Sequence, residues 1–398
     1  MANSVEVIVE EAIWNWVGAY VAANNSELRE KFEKWKNGDK TPTFRQLEEF
    51  SKKINVPIGY FFLKNPPDEK CNVLEYRTVD SLNIKNPSRN LIDIAFQMED
   101  IQEWMRNYRI NDGYGKIEFV GTLNIETPPI KAAEFVRNAL SLDKNWYRKI
   151  KNRDDAFKKI KIAVSGTGVL VMQSGNIKSN THQSLDVAEF RAFTLVDEYV
   201  PLIFINTNDT KGGMLFSLIH EYVHICVGKN GFYNQNQYKR TQSLAVDPSE
   251  QFCNAVTAEI LAPIDIFASD WENEKYAEFS AEKQINIIAG NFRCGEVTIA
   301  RRALDSGFIT MADYDRIAEN AKQSADSFRA AQKVKHKESI GGPSPHKIKV
   351  SQIDLGFLFA LENSVKEGKT LYTDALRLIG GNVSGFEKLC KEARGKRQ

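Results

Sequence analysis

The sequence has no closely spaced pair of cysteines. Cys71, Cys226, Cys253, Cys294 and Cys390 are scattered, odd in number and free of any C-x-x-C. That excludes a disulfide framework and points to a reducing compartment with buried thiols. An excess of one charge is missing too, since 53 Lys and Arg stand against 52 Asp and Glu, for a formal net charge of +1. Such a balance gives no global attraction to nucleic acid or to an anionic membrane, so any DNA contact would need a local basic patch. No apolar run reaches transmembrane length, no secretory signal opens the chain, and no internal repeat is found. The expectation is a cytoplasmic protein with no membrane partner. The remainder is ordinary for a globular chain. Its 398 residues, 42% hydrophobic and 26% charged, suffice for two or three domains with a substantial core.

One stretch departs from that ordinary background: Leu218-Ile219-His220-Glu221-Tyr222-Val223-His224-Ile225, an H-E-x-x-H motif inside an apolar run. Residues four apart lie on one face of a helix, so His220 and His224 can hold one metal ion between their rings. Glu221 sits about 100° round the helix from His220, within reach of a water on that metal. Zinc suits such a site, because it takes imidazole and keeps an open position for water when catalytic. Leu215, Phe216, Leu218, Ile219, Tyr222, Val223, Ile225 and Val227 make the helix apolar nearly all round, which predicts burial. Two histidines and a carboxylate would be costly there without something to pair them. The motif alone also arises by chance, its polar residues then satisfied by ordinary hydrogen bonds.

A third ligand decides between these readings. Residues 250–261, stopped near Pro263, read as a second helix with Glu250, Asn254, Thr257 and Leu261 on one face. Glu250 in its first turn completes a His-His-Glu set with one zinc ion per chain. Asn254, one turn on, is placed to orient that carboxylate. The rival reading of Glu250 is a first-turn carboxylate that complements the helix dipole. Cys226 and Cys253 lie on the same two helices and must be weighed as ligands; Cys226, two residues past His224, falls on another face and reads as core.

The two motifs together, H-E-x-x-H and E-x-x-[AC]-N-x-x-x-A-E-x-L-x-P, resemble those of the ImmA/IrrE-type metallopeptidases. Residues 168–172, 185–193 and 201–206 look like the strands that precede the zinc helix in that family, and the similarity covers roughly residues 130–310. The fold class that follows is α+β. A mostly helical chain would carry a zincin-like core, a small mixed sheet plus the H-E-x-x-H helix. Strand-like segments are expected near 168–173, 189–196 and 201–206, after helices near 131–141 and 153–164. The strand ending at Asn206 is the candidate for aligning an extended peptide by strand addition. His182, in the polar loop after Gly175, is a candidate oxyanion donor, although a loop histidine is commonly only solvated. The resemblance implies a protein substrate, often a helix-turn-helix repressor, in prophage, stress or toxin–antitoxin control. It equally implies a rival, an antitoxin or transcriptional regulator that uses the peptidase fold as a binding scaffold.

Five segments organise the chain: 1–70 helical, 71–129 a linker and bridging helix, 130–320 the peptidase region, 321–350 a flexible linker, and 351–398 a small C-terminal helical unit with a basic tail. The spacing of Trp35, Gly38, Pro42, Thr43, Gln46 and Leu47 is similar to XRE-type helix-turn-helix modules, and Leu74–Thr78 resembles the segment that follows them. No intact recognition helix is found there, and Glu27, Glu30, Glu33 and Asp39 interleave with the lysines. DNA binding through this module is therefore expected to be weak. Arg301 and Arg302 suit either a structural ion pair or a cleft wall. His336 and His346, irregularly spaced in the expected linker, are unlikely ligands.

Overall fold

A computed structural model describes residues 5–21, 25–67, 87–177, 180–233, 247–273, 275, 278–338 and 344–395. Leu74–Thr78 lies outside them. The described residues divide into two compact units, one formed by residues up to 67 with 87–96, the other by residues from 97 onward.

The first unit holds α1 (Glu11–Val17), α2 (Ser26–Lys36), α3 (Phe44–Ile54) and the start of α4 (Arg89–Asn111). Its core is aromatic: Trp14 meets Phe32, Trp35, Phe50 and Phe61 at centroid distances of 5.8–6.3 Å. The P-T-x-x-Q spacing is a capping box at the start of α3. Gln46 N donates to Thr43 Oγ1 and Thr43 N to Gln46 Oε1, which satisfies two amides that would otherwise be orphaned. Among the described residues the ion pairs of α2 and α3 join residues one turn apart on an exposed face: Lys31 to Glu27, Lys34 to Glu30, Arg45 to Glu49 and Lys52 to Glu48.

The second half of α4 packs within the second unit, where Gln102 donates to the carbonyls of Leu195 and Val200, and Arg109 to that of Gly168. Then follow α5 (Pro129–Ala139), α6 (Arg153–Gly166), β1 (Leu170–Ser174), the hairpin β2 (Asn176–Ile177) and β3 (Asn180–Ser184), β4 (Ala192–Leu195), β5 (Leu202–Asn206), α7 (Lys211–Val227) and β6 (Phe232–Tyr233). The main sheet has the order β1-β5-β4-β6, with β1 and β5 parallel and the other pairs antiparallel. The expected small mixed sheet is thus present. The segment read as a polar loop after Gly175 is the hairpin β2–β3, whose polar sequence hid its strands.

Strand β5 lies inside the sheet, with Asn206 opposite Ser174 of β1 and Ile205 opposite Ala192 of β4. Both its edges are taken, so a peptide cannot add to it. Asn206 is fully buried and bonded to its own fold, donating to the carbonyl of Phe190 and accepting from Asn208 N. The expectation that Asn206 and its strand line up substrate is therefore overturned.

Beyond the sheet come α8 (Pro248–Leu261), α9 (Ile264–Trp271), α10 (Ala281–Phe292), α11 (Glu296–Asp305) and α12 (Met311–Glu338). Much of the expected linker is helix: α12 runs through 321–338, and α13 (Pro345–Gln352) takes up 345–350. Its Ala, Lys, Gln and Glu content is that of a good helix former. The chain closes with α14 (Leu355–Lys366), α15 (Tyr372–Ile379) and α16 (Val383–Gly395), the last a helix where a basic tail was expected. Asp354 ties this end to β1. Its carboxylate caps α14 through Gly356 N and Phe357 N, and also accepts from Ser165 Oγ at 2.7 Å and Val171 N at 3.3 Å. Among the described residues no single helix is long and apolar enough to cross a membrane.

Candidate metal centre

Helix α7 starts where Thr210 accepts a hydrogen bond from Gly213 N, and ends at Gly228, left-handed at φ 81°. Glycines let both ends lie against neighbouring backbone. A Cβ on Gly212 would stand 2.8 Å from Gly295 Cα, and one on Gly228 would stand 2.8 Å from Gly121 Cα. At this helix end the Cys226 carbonyl accepts from Leu123 N, and the Ile225 carbonyl accepts from Gly121 N as well as from the capping Gly228 N. Every residue from Met214 to Cys226 is buried, as the apolar circumference predicts.

Helix α8 starts at Asp247, whose side chain accepts from Ser249 N, with Pro248 in its first turn. Glu250 follows immediately, so the helix start aims its carboxylate at α7. His220 Nε2 and His224 Nε2 lie 3.0 Å apart, and Glu250 Oε2 and Oε1 approach them at 3.2 Å and 3.0 Å respectively. Among the described residues these three form the one group of potential ligand atoms that converges for a metal ion. A tetrahedral zinc ion with bonds near 2.05 Å spaces its ligand atoms about 3.3 Å apart. Two imidazoles and a carboxylate at that spacing, all buried, fit the ion. Glu250 is therefore more than a dipole-complementing residue.

Electrostatics point the same way. Burial would push the Glu250 carboxyl up, but His224 and His220 reverse this and hold it well below the usual carboxylate range. Burial would lower His224; Cys253 and Glu250 outweigh it and keep this imidazole well above its usual value. The Glu250 carboxylate thus needs a positive charge beside it, which the proton on His224 provides. A bound divalent ion would supply that charge instead and displace the proton from His224.

Asn254 reaches the imidazole of His220. Cys253 lies against His224, and burial raises its thiol pKa. Neither cysteine belongs to the converging group, and Cys226 is fully buried core. Glu221 is fully buried beside the ligands. A residue the motif does not contain sits next to it: a Cβ on Gly231 would fall 2.7 Å from both Glu221 Oε2 and His224 Cδ2. Only the chain's return along β4, where Thr194 N donates to Gly231 O at 2.9 Å, places this glycine there. His182 falls on β3, and its side chain lies outside the described residues.

Arg302 is structural. It donates to Glu259 Oε2 at 2.6 Å and to the Ala262 carbonyl, locking α11 to the end of α8. Arg301 pairs with Asp305 on the surface of the same helix.

Residues 172–304 match a peptidase-family model described as the IrrE N-terminal-like domain, and residues 353–392 match a model for a domain of unknown function. Comparison with curated proteins and with solved structures gave no match. The histidine pair, its adjoining glutamate and the third ligand all fall inside the first segment, so residues 172–304 are similar to an ImmA/IrrE-type peptidase domain in both sequence and ligand set.

Proposed function

We propose that this protein is a cytoplasmic zinc-dependent endopeptidase that cleaves a specific protein partner, such as a repressor, in prophage, stress or toxin–antitoxin regulation. The observation that carries this reading is the convergence of His220, His224 and Glu250 from two helices, with Glu221 buried alongside. A zinc ion bound there would polarise the scissile carbonyl and bring the pKa of its water toward 7. His220 and His224 would hold the ion through Nε2, and Glu250 would complete the set while offsetting its charge. Asn254 and Cys253 fix the two rings. Glu221 carries no ligand duty in this scheme. Its carboxylate takes the proton of the attacking water and returns it to the leaving amine, so the proton count closes over one turnover.

The Glu221→Gln variant tests this directly. Gln is nearly isosteric but accepts no proton at neutral pH. Zinc content and melting temperature should hold, while cleavage of a true substrate falls about 10²–10⁴-fold. If the variant performs its cellular task as well as the parent does, catalysis is dispensable. The scaffold reading, an antitoxin or regulator that only binds its partner, then replaces the peptidase.

A further inference from the structure

A cleft of about 740 Å³ opens at the N-terminal end of α7, floored by Gly212, Gly213 and Phe216. Phe216 lies one turn before His220, so these two side chains are neighbours on the helix surface. Phe216 also stacks on His220, with centroids 6.0 Å apart and planes 25° apart. Phe216 thus separates the cleft from the first metal ligand by about one helical turn.

Its lining is charged unevenly. Three carboxylates take part, and each is already paired: Asp209 with Arg191 at 3.0 Å, Asp154 with Lys211 at 3.3 Å, and Glu296 with Arg153 at 3.6 Å. Lys151, Arg293 and Lys322 remain as an excess of positive charge. The Arg293 guanidinium is anchored on the carbonyls of Ile150 and Gly290, which fixes its position without neutralising it. Three helices also begin at this cleft, α6 after Asn152, α7 after Thr210 and α11 after Gly295. Their amide ends add to the same positive potential. The contact of Gly212 with Gly295 brings two of those ends together.

We propose that this cleft anchors the substrate, taking the carboxylates of an acidic peptide stretch beside the scissile bond, so that the enzyme selects acidic segments of its protein partner. The inference rests on the peptidase reading above and names the substrate class for that same site. A cleft of this volume accommodates side chains rather than a nucleic-acid duplex, and its position one turn from the metal ligands suits a peptide held for cutting.

Binding to the full-length Glu221→Gln protein loaded with zinc separates the outcomes, since no probe is then cut. Fluorescent hexaglutamate should bind, by anisotropy, while hexaserine and hexalysine do not, and high salt should weaken the complex. The Lys151→Glu/Lys322→Glu double variant should weaken hexaglutamate about tenfold, with zinc content and melting temperature unchanged. Equal binding of hexaglutamate and hexaserine, or affinity indifferent to the double reversal, overturns the proposal. So does tighter binding of single-stranded oligothymidylate that the same double variant abolishes, which would make the cleft a nucleic-acid groove. Zinc content reports on the peptidase reading separately. A zinc-replete protein that ignores hexaglutamate sinks the cleft alone, whereas hexaglutamate binding by a protein that takes up no zinc supports the cleft and sinks the peptidase.

Discussion

Helices α2 and α7 both place titratable side chains four residues apart, with opposite results. On α2, Lys31 and Glu27 pair at 2.6 Å with side chains 50% and 73% exposed, and Lys34 repeats the arrangement with Glu30. Water screens both partners, and the charges cancel within one turn. On α7, His220 and His224 have the same spacing but are 0% and 1% exposed, and their partner comes from another helix. No water screens that site, so its charge balance must be met by the protein or by a bound ion. Spacing sets which groups can meet; burial decides whether the meeting has chemical consequences.

The largest effect expected from breaking this contrast is at the ligands. His220→Ala, His224→Ala and Glu250→Ala should each abolish stoichiometric zinc, measured by metal analysis of protein purified under metal-replete conditions. A divalent ion held by His224 would displace its proton, so metal uptake by the parent should release protons and weaken as pH falls. A parent protein that binds no divalent metal would remove the chemical half of the comparison.

Next comes a buried pair without a metal. Arg302→Ala leaves the Glu259 carboxylate, 4% exposed, with Ile264 N as its remaining donor. Breaking a buried pair from one side costs about 3–5 kcal/mol, which chemical denaturation would resolve. A loss as small as that of a surface pair would show that burial matters less here than α7 implies.

Gly231→Ala sharpens the same point with no change in charge. The added methyl meets Glu221 and His224 at 2.7 Å, so the carboxylate or the strand must move. Misplacement of a catalytic group by about 1 Å costs on the order of 10²-fold in rate. The His224 ring is crowded as well, so zinc content should fall with the rate; parental turnover and zinc content in this variant would contradict the placement of both side chains.

The smallest effects belong to α2. Lys34→Ala should leave the melting temperature unresolved from the parent. DNA binding through the first unit should be weak and steeply salt-dependent, dominated by phosphate contacts. Tight binding to one palindromic operator at physiological salt would show that its cations are less neutralised than their pairing suggests.

What the sequence made legible follows from how local each signal is. The apolar circumference of α7 and the face of α8 that carries Glu250 lie within single helices, and helical periodicity exposes them directly. Strand β5, buried along its whole length, reads as a continuous apolar run. Its central place in the sheet was not legible, because pairing with β1 and β4 is fixed by residues 30 and more away in the case of β1. Asn206 therefore reads, from sequence alone, as the end of a strand open to substrate. Gly231 carries no local signal at all, since one glycine after a helix acquires meaning only when the chain folds it onto Glu221. The latter part of helix α12 reads as a linker because a charged, alanine-rich composition serves a linker and a solvent-exposed helix alike.

The bonds of Asp354 bear on where this protein can be cut. The matched peptidase segment opens at Met172, inside β1, and leaves out α5, α6 and the residues that cover that strand's outer side. Val171 N ends on Asp354, and Gln173 reaches the carbonyl of Ser351. A fragment trimmed to residues 172–304 would begin partway along a strand stripped of its covering, a template for pairing between copies. The borders of homology and the borders of an independently folding piece do not coincide here. A soluble catalytic fragment has to retain residues far along the chain that belong to the second matched domain.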